Sequence, residues 1–329
     1  MNKIKIAVIG AGNIGSRHLQ ALANLKYEAE IYVVDPDKKA LSTAKERYEN
    51  IINNSSSPHT INYLSSFDDL PNSLDFAIVA TNSKVRQKVI EELVSKSSIK
   101  YMLLEKFLFP SLNQYSNVEK LIKRNQITCW VNCSRRAYPM YRAIKPLIRE
   151  ANKIRFQVSG SKWGLGCNAI HFLDFLSYLT DEYEYILDNR YLDQEILKSK
   201  RPGFIEFSGS ILGSSVNNRI QFEITSYNYG AIPINILIDS DTCRIWVDER
   251  EGKILISSAK DDWKSKVGYF QITKQSELTN ILIEQILSSN SCDLPTYEES
   301  CKLHKLLLSA FLNHLNNNSA KEVEECLIT

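Results

Sequence analysis

Gly10-Ala11-Gly12-Asn13-Ile14-Gly15 forms a GxGxxG pattern, and Asp35 lies 20 residues beyond its last glycine. The first glycine of such a motif permits a tight turn, the second lets the backbone approach a pyrophosphate seated on a helix N-terminus, and the third allows close helix–strand packing. Asn13 and Ile14 complete the binding loop as it opens the helix. A carboxylate at Asp35 would accept hydrogen bonds from the adenosine ribose hydroxyls and oppose a 2′-phosphate, so the expected cofactor is NAD, with NADP disfavoured. A lone GxGxxG is a weak signal and also occurs as a glycine turn in unrelated α/β proteins. Here it follows an apolar run, opens a helical pattern and begins a βαβ unit, and this context gives it weight.

Cysteine chemistry reads differently. The seven cysteines, at 129, 133, 167, 243, 292, 301 and 326, are odd in number, scattered and free of any CxxC pair. That argues against a disulfide framework and against zinc. Cys129 and Cys133 stand four apart in an apolar run and read as buried thiols. No metal site is expected.

The elements that must position these residues follow from hydrophobic periodicity. Up to residue 133, apolar runs alternate with helical patterns. The runs are Lys5–Ile9, Ile31–Val34, Asp75–Ala80, Tyr101–Leu104 and Ile127–Val131. The helices between them are expected near Asn13–Leu25, Asp37–Tyr48, Lys84–Ser95 and Leu112–Arg124. Runs that are apolar on both faces and separated by helices suit a buried parallel sheet. The segment from Asn53 to Pro58 reads as a low-complexity loop.

Beyond 133 the texture changes. Helices are expected near Pro139–Glu150 and Ala169–Leu179, with an alternating strand at Ile154–Ser159. Further strands are expected at Ile205–Leu212, Arg219–Ser226, Ile232–Ile238, Cys243–Val247, Lys253–Ser258 and Gly268–Thr273, and two helices close the chain near Glu277–Leu287 and Tyr297–Asn316. Short connections with turn residues point to a largely antiparallel sheet with one apolar face. The expected fold class is α/β: an N-terminal Rossmann doubly wound parallel sheet over 1–133, then an α+β domain with a large, mostly antiparallel sheet over 134–329.

Composition narrows the partners. The 329 residues carry a formal net charge of +2, with 43% hydrophobic and 24% charged residues. So small a charge does not favour nucleic acid or an anionic membrane as partner. No apolar stretch has the length of a signal sequence or a membrane span, which leads to a cytoplasmic expectation.

At this point the chain resembles the Gfo/Idh/MocA family of oxidoreductases, which act mostly on sugars, cyclitols and nucleotide sugars. The resemblance runs through Gly15-Ser16-Arg17-His18, Ala80-Thr81-Asn82, Glu105-Lys106, Asn132 to Arg136, His171-Phe172-Leu173-Asp174 and Leu294-Pro295-Thr296. It implies that Thr81, Asn82, Glu105 and Lys106 line the cofactor and that Lys106 and His171 stand beside the nicotinamide as catalytic residues. The chemistry is coherent: oxidising an alcohol removes a hydride from carbon and a proton from oxygen, and a tuned lysine or histidine can take that proton. Lys106 also ends a strand, at the edge where such sheets bind ligands. As a solvated loop lysine it would have no such task, and His171 in an apolar stretch could equally be a buried core residue. Arg136 could clamp a phosphate or carboxylate, or lie on the surface. Trp163 could stack on a sugar or the nicotinamide, or pack in the core.

Two departures stand out. The family's proline after the lysine, often preceded by a cis bond, is Phe107. A non-proline cis bond costs about 3 kcal/mol, so a different presentation of Lys106 is expected. The aspartate that the family commonly has four residues before the histidine is Cys167, followed by Asn168, which could supply a substrate hydrogen bond. The resemblance therefore implies an NAD-dependent dehydrogenase or reductase acting on a sugar, nucleotide-linked or otherwise activated. The alternatives are transient NAD oxidation in an epimerase, lyase or glycosidase, and a dinucleotide-binding sensor without turnover. A homodimer or homotetramer built through the second-domain sheet is expected.

Overall fold

The computed structural model describes residues 3–52 and 58–329, so the loop from Asn53 to Ser57 lies outside the described residues. The chain forms two compact units, the first made of Met1–Phe109, Asn113–Asn132 and Thr273–Tyr297.

This first unit holds a six-stranded parallel sheet. Its strands are β1 (Ile4–Ile9), β2 (Ala29–Val34), β3 (Thr60–Leu64), β4 (Ser73–Val79), β5 (Ser98–Leu104) and β6 (Thr128–Val131), in the order β3-β2-β1-β4-β5-β6. The crossovers are α1 (Asn13–Leu22), α2 (Lys38–Ile52), α3 (Ser83–Lys96) and α4 (Leu112–Arg124). Ile6, Ala7 and Val8 of the central strand are completely buried, as the run apolar on both faces requires. Strand order reverses between β1 and β4, the switch point at which doubly wound sheets bind ligands. Sequence reading missed β3. All five of its residues keep some exposure, so this edge strand carries no apolar run to announce it.

The boundary expected at residue 133 is also crossed. Thr273–Tyr297, assigned from sequence to the second domain, clusters with the first unit. The Val131 N–H donates to the Pro295 carbonyl at 3.0 Å, and Trp130 bridges Thr296. The returning segment thus covers the outer edge of β6 and satisfies backbone groups that an edge strand leaves open. It then supplies helix Thr279–Ser289 to this unit.

The second unit is built on an eight-stranded sheet. It contains β7 (Ile154–Ser161), β8 (Tyr185–Asp188), β11 (Gly209–Ser215), β12 (Ile220–Tyr227), β13 (Asn235–Ser240), β14 (Cys243–Asp248), β15 (Lys253–Ser258) and β16 (Lys266–Tyr269). The order is β16-β15-β14-β13-β7-β12-β11-β8, and every pair is antiparallel except β7 with β12. The short strands β9 (Leu197–Lys198) and β10 (Ile205–Glu206) pair separately. The strand expected over Ile205–Leu212 is therefore two, separated at Phe207 and Ser208. Gly209 opens β11 at φ +92° with the Tyr191 carbonyl 2.4 Å from where a Cβ would stand, so only glycine fits that break.

One face of the large sheet buries Ile154, Phe156, Val158, Ile236, Ile238, Ile245 and Val247. Phe156 meets Phe175 of α6 (Leu165–Thr180) edge-on, with ring centroids 6.1 Å apart. Helix α5 (Pro139–Arg149) and, from Glu298 on, helix Tyr297–Asn317 also belong to this unit. None of the described helices is long and apolar enough to cross a membrane. Among the described residues, no group of three or more His, Cys, Asp or Glu is placed to hold a metal ion.

Candidate active site

The glycine loop leaves β1 at Gly10, whose φ of +93° needs glycine. Gly15 lies directly over it: a Cβ there would stand 1.7 Å from the Gly10 carbonyl oxygen. Helix and strand could not approach so closely with any other residue. Gly12 differs, because a Cβ there would meet nothing within 4 Å. Gly12 is also the N-cap of α1 and has no side-chain cap, so its open side faces a helix terminus of the kind that binds phosphate. Asp35, half-buried at the end of β2, accepts the Ala11 N–H on Oδ2 at 2.7 Å and the Asp37 N–H on Oδ1 at 2.9 Å. Each oxygen keeps a second lone pair for a ligand hydroxyl. Asp35 therefore also braces the glycine loop, a task that sequence spacing did not reveal.

Across the switch point, the buried Thr81 hydroxyl has no hydrogen-bond partner among the described residues. The Asn82 side chain accepts the Val85 N–H at 3.3 Å and caps α3. The open cradle at Gly12, the uncapped α1 and the Thr81 hydroxyl all fit a dinucleotide.

Glu105 and Lys106 are neighbours with opposite surroundings. Glu105 is 6% exposed. Its Oε1 lies 3.0 Å from His18 Nε2 and accepts from Asn132 Nδ2. On the far side of the imidazole, Nδ1 lies 2.8 Å from Thr279 Oγ1 and 3.3 Å from Gln275 Nε2. Gln275 Oε1 closes the ring by accepting from Asn132 at 2.8 Å. Burial pushes the Glu105 carboxyl up, but His18, Asn132 and the Lys106 charge outweigh it and hold it below the usual range. Glu105 thus anchors the end of β5 rather than opening toward a ligand.

Lys106 follows at once, and from Tyr101 to Ser111 it is the one residue that is not buried. Phe107, Leu108 and Phe109 are fully enclosed behind it, and Tyr115 of α4 donates its hydroxyl to the Phe109 carbonyl at 3.2 Å. The Lys106–Phe107 peptide bond is cis, where Phe107 had led us to expect a different presentation. Arg86, unnoticed in the sequence, lies beneath this segment. Its guanidinium donates to the carbonyls of Thr81 and Phe107, and to that of Leu108 at 2.8 Å.

In the second unit, α6 buries twelve of its sixteen residues and leaves Cys167, Asn168, His171 and Tyr178 partly exposed. Positions 167, 168 and 171 share one face. Asn168 Nδ2 donates to the Trp163 carbonyl at 2.7 Å, and the Trp163 indole N–H donates to the Thr225 carbonyl at 2.9 Å. Trp163 packs edge-on against Phe172, 5.3 Å between centroids, and stays half-buried. Trp163, Asn168 and His171 are thus gathered at the start of α6.

Arg136 is not among them. It is buried, and its Nε and Nη2 donate to the two oxygens of Asp174 at 2.8 and 2.7 Å. The fork expected to clamp a substrate anion is already taken by a buried carboxylate of α6. A second carboxylate was not foreseen: Glu206 of β10 accepts the Gly166 and Cys167 N–H groups at 2.9 and 3.0 Å. It caps α6, whose own N-cap, Gly164, has no side chain to do so. Burial raises its carboxyl above the usual range despite those bonds. An acid therefore adjoins Cys167, brought there from a distant strand.

Comparison with known proteins agrees with this architecture. Residues 4–133 match the family model described as "Oxidoreductase family, NAD-binding Rossmann fold". No curated protein matches the chain. Among solved structures, the chain is similar to an oxidoreductase from Agrobacterium radiobacter in complex with NAD+, L-tartaric acid and magnesium, at 16% identity and a TM-score of 0.72, covering 96% of this chain and 97% of that one. It is similar to a super-repressor mutant of Gal80p from Saccharomyces cerevisiae, at 14% identity and a TM-score of 0.71, covering 96% and 97%. UDP-N-acetylglucosamine 3-dehydrogenase from Acidithiobacillus ferrooxidans matches at 13% identity and a TM-score of 0.69, covering 94% and 97%. At these identities the likeness is one of fold. Residues 4–133 are thus similar to the Gfo/Idh/MocA oxidoreductases, and the matching segment has the NAD-binding Rossmann fold that the family model describes.

Proposed function

We propose that the protein is an NAD-dependent oxidoreductase acting on a hydroxyl or keto carbon of a sugar, nucleotide-linked or otherwise activated. The observation that carries this reading is the solvent access of Lys106. In a buried run at the carboxyl edge of the sheet, on the side where the dinucleotide cradle opens, one side chain alone keeps solvent access, and it is a proton-bearing amine. Bound NAD supplies the hydride acceptor or donor. Lys106 Nζ takes or returns the proton of the substrate oxygen, and Asp35 favours NAD over NADP. In the second unit, the partly exposed face of α6 offers His171 and Asn168 as hydrogen-bonding groups for a sugar, and Trp163 packs beside them. Arg136, engaged by Asp174, is left out of this assignment. The family and the nucleotide-sugar dehydrogenase that shares the fold support the substrate class.

The test is a panel of sugars, cyclitols and nucleotide sugars with NAD or NADH, read by nicotinamide absorbance. A net redox change with one of them is expected. Cys167, standing where the resemblance puts aspartate, favours a second reading: a bound dinucleotide that is oxidised only transiently, or a sensor that does not turn over. A regulator, Gal80p, shares the fold. Tight NAD binding without any net redox change across the panel would overturn the first reading and support the second.

A further inference from the structure

Helix α3 buries Ser83, Arg86, Ile90 and Leu93. That spacing is the core stripe of a helix packed on a sheet, where an apolar residue is the ordinary occupant. Arg86 nevertheless fills one of these places and is 1% exposed. Burying a guanidinium is costly unless several dipoles compensate it. Here its two terminal nitrogens donate to three carbonyls, and these three belong to strand ends with site residues. Thr81 follows β4, and Phe107 and Leu108 follow Lys106 at the end of β5. A planar fork can hold three acceptors in fixed directions, which a lysine ammonium cannot reproduce.

We propose that Arg86 is a positioning residue that fixes the backbone presenting Lys106, and thereby the place of the Lys106 ammonium at the sheet edge. Its value to catalysis rests on the reading of Lys106 as proton carrier. Its test does not, because it can be read without substrate or cofactor.

The full chain and the variants Arg86→Lys and Arg86→Met are treated, cofactor-free, with an amine-reactive label over a series of pH values. Peptide mass spectrometry then gives the rate at Lys106 relative to Lys26, whose side chain is 82% exposed. Arg86→Lys, with native circular dichroism, should change the relative Lys106 rate severalfold or shift its pH profile. NAD affinity should stay within about three-fold, and on any substrate turned over kcat should fall with KM nearly unchanged. An unchanged Lys106 rate and profile in folded Arg86→Lys would overturn the proposal. So would failure of Arg86→Lys to fold, since the fork would then be purely architectural. Arg86→Met, where it folds, should move Lys106 at least as far. If no sugar is turned over by parent or variant, the function reading fails while the labelling result still decides the role of Arg86.

Discussion

Asp35 braces the glycine loop, and we propose that it also accepts from the ribose of the cofactor, so its removal should show both. We expect Asp35→Ala to weaken NAD by about ten-fold, the loss of one or two hydrogen bonds. NADP should weaken less, because its 2′-phosphate no longer faces a carboxylate. Titration of both cofactors checks this, and tighter binding of NADP by the parent would remove the specificity assignment. Lys106 makes the sharper case. Lys106→Met should keep NAD affinity within a few-fold and lower turnover by about 10²–10⁴, the usual range for a general acid–base group. If Lys106→Met turns over like the parent, the proton role passes to His171. Cys167→Asp should retain or raise activity, since it returns a carboxylate to the face that holds Asn168 and His171.

At the scale of elements, what holds the site is a set of polar anchors between helices and strand ends. His18, Glu105, Asn132, Gln275 and Thr279 join α1, β5, β6 and the returning segment through one closed network. Glu206 does comparable work for α6, and it makes stability depend on pH. Its folded carboxyl is raised by burial above the ordinary 4.5. A carboxyl raised on folding favours the native state while it is protonated. That contribution is full below the unfolded value and is lost as pH rises through the folded value. Glu206→Gln keeps an acceptor for one of the two N–H groups, at a cost that does not vary with pH, and has no charge to bury. Thermal unfolding should therefore show the variant gaining on the parent as pH rises from about 4.5 toward neutrality. Equal differences at every pH would show that Glu206 is not raised.

For the molecule as a whole, the face of the large sheet opposite α6 matters most. The pairings Val267↔Leu255, Leu255↔Trp246 and Trp246↔Leu237 line four apolar side chains in one cross-strand row. All four keep some solvent access, with Val267 54% exposed. Continuous apolar patches of this kind mark interaction sites. A second copy of the same face is self-complementary by two-fold symmetry. We propose a homodimer, or a homotetramer containing it, built through this row. Light scattering should give an oligomer for the parent and a monomer for Trp246→Arg, with NAD binding retained. A monomeric parent at micromolar concentration would rule the assembly out.

How much of this was legible in the chain depends on the range over which each feature is encoded. The glycine loop, the order of apolar runs and Asp35 are local: one residue type, one turn and one spacing suffice, so the sequence by itself determined the Rossmann fold and its cofactor. Helix Tyr297–Asn317 and most strands of the second sheet were readable from periodicity for the same reason. Other features are meetings of residues far apart in the chain. They include the edge strand β3, the return of Thr273–Tyr297 to cover β6, the taking of Arg136 by Asp174, the delivery of Glu206 to the start of α6 and the seating of Arg86 under Lys106. Burial decides the last three, because a charged group withdrawn from water must find partners wherever the fold supplies them. Nothing in the spacing of Arg86 or Glu206 announces those partners, and only the tertiary structure brought them together.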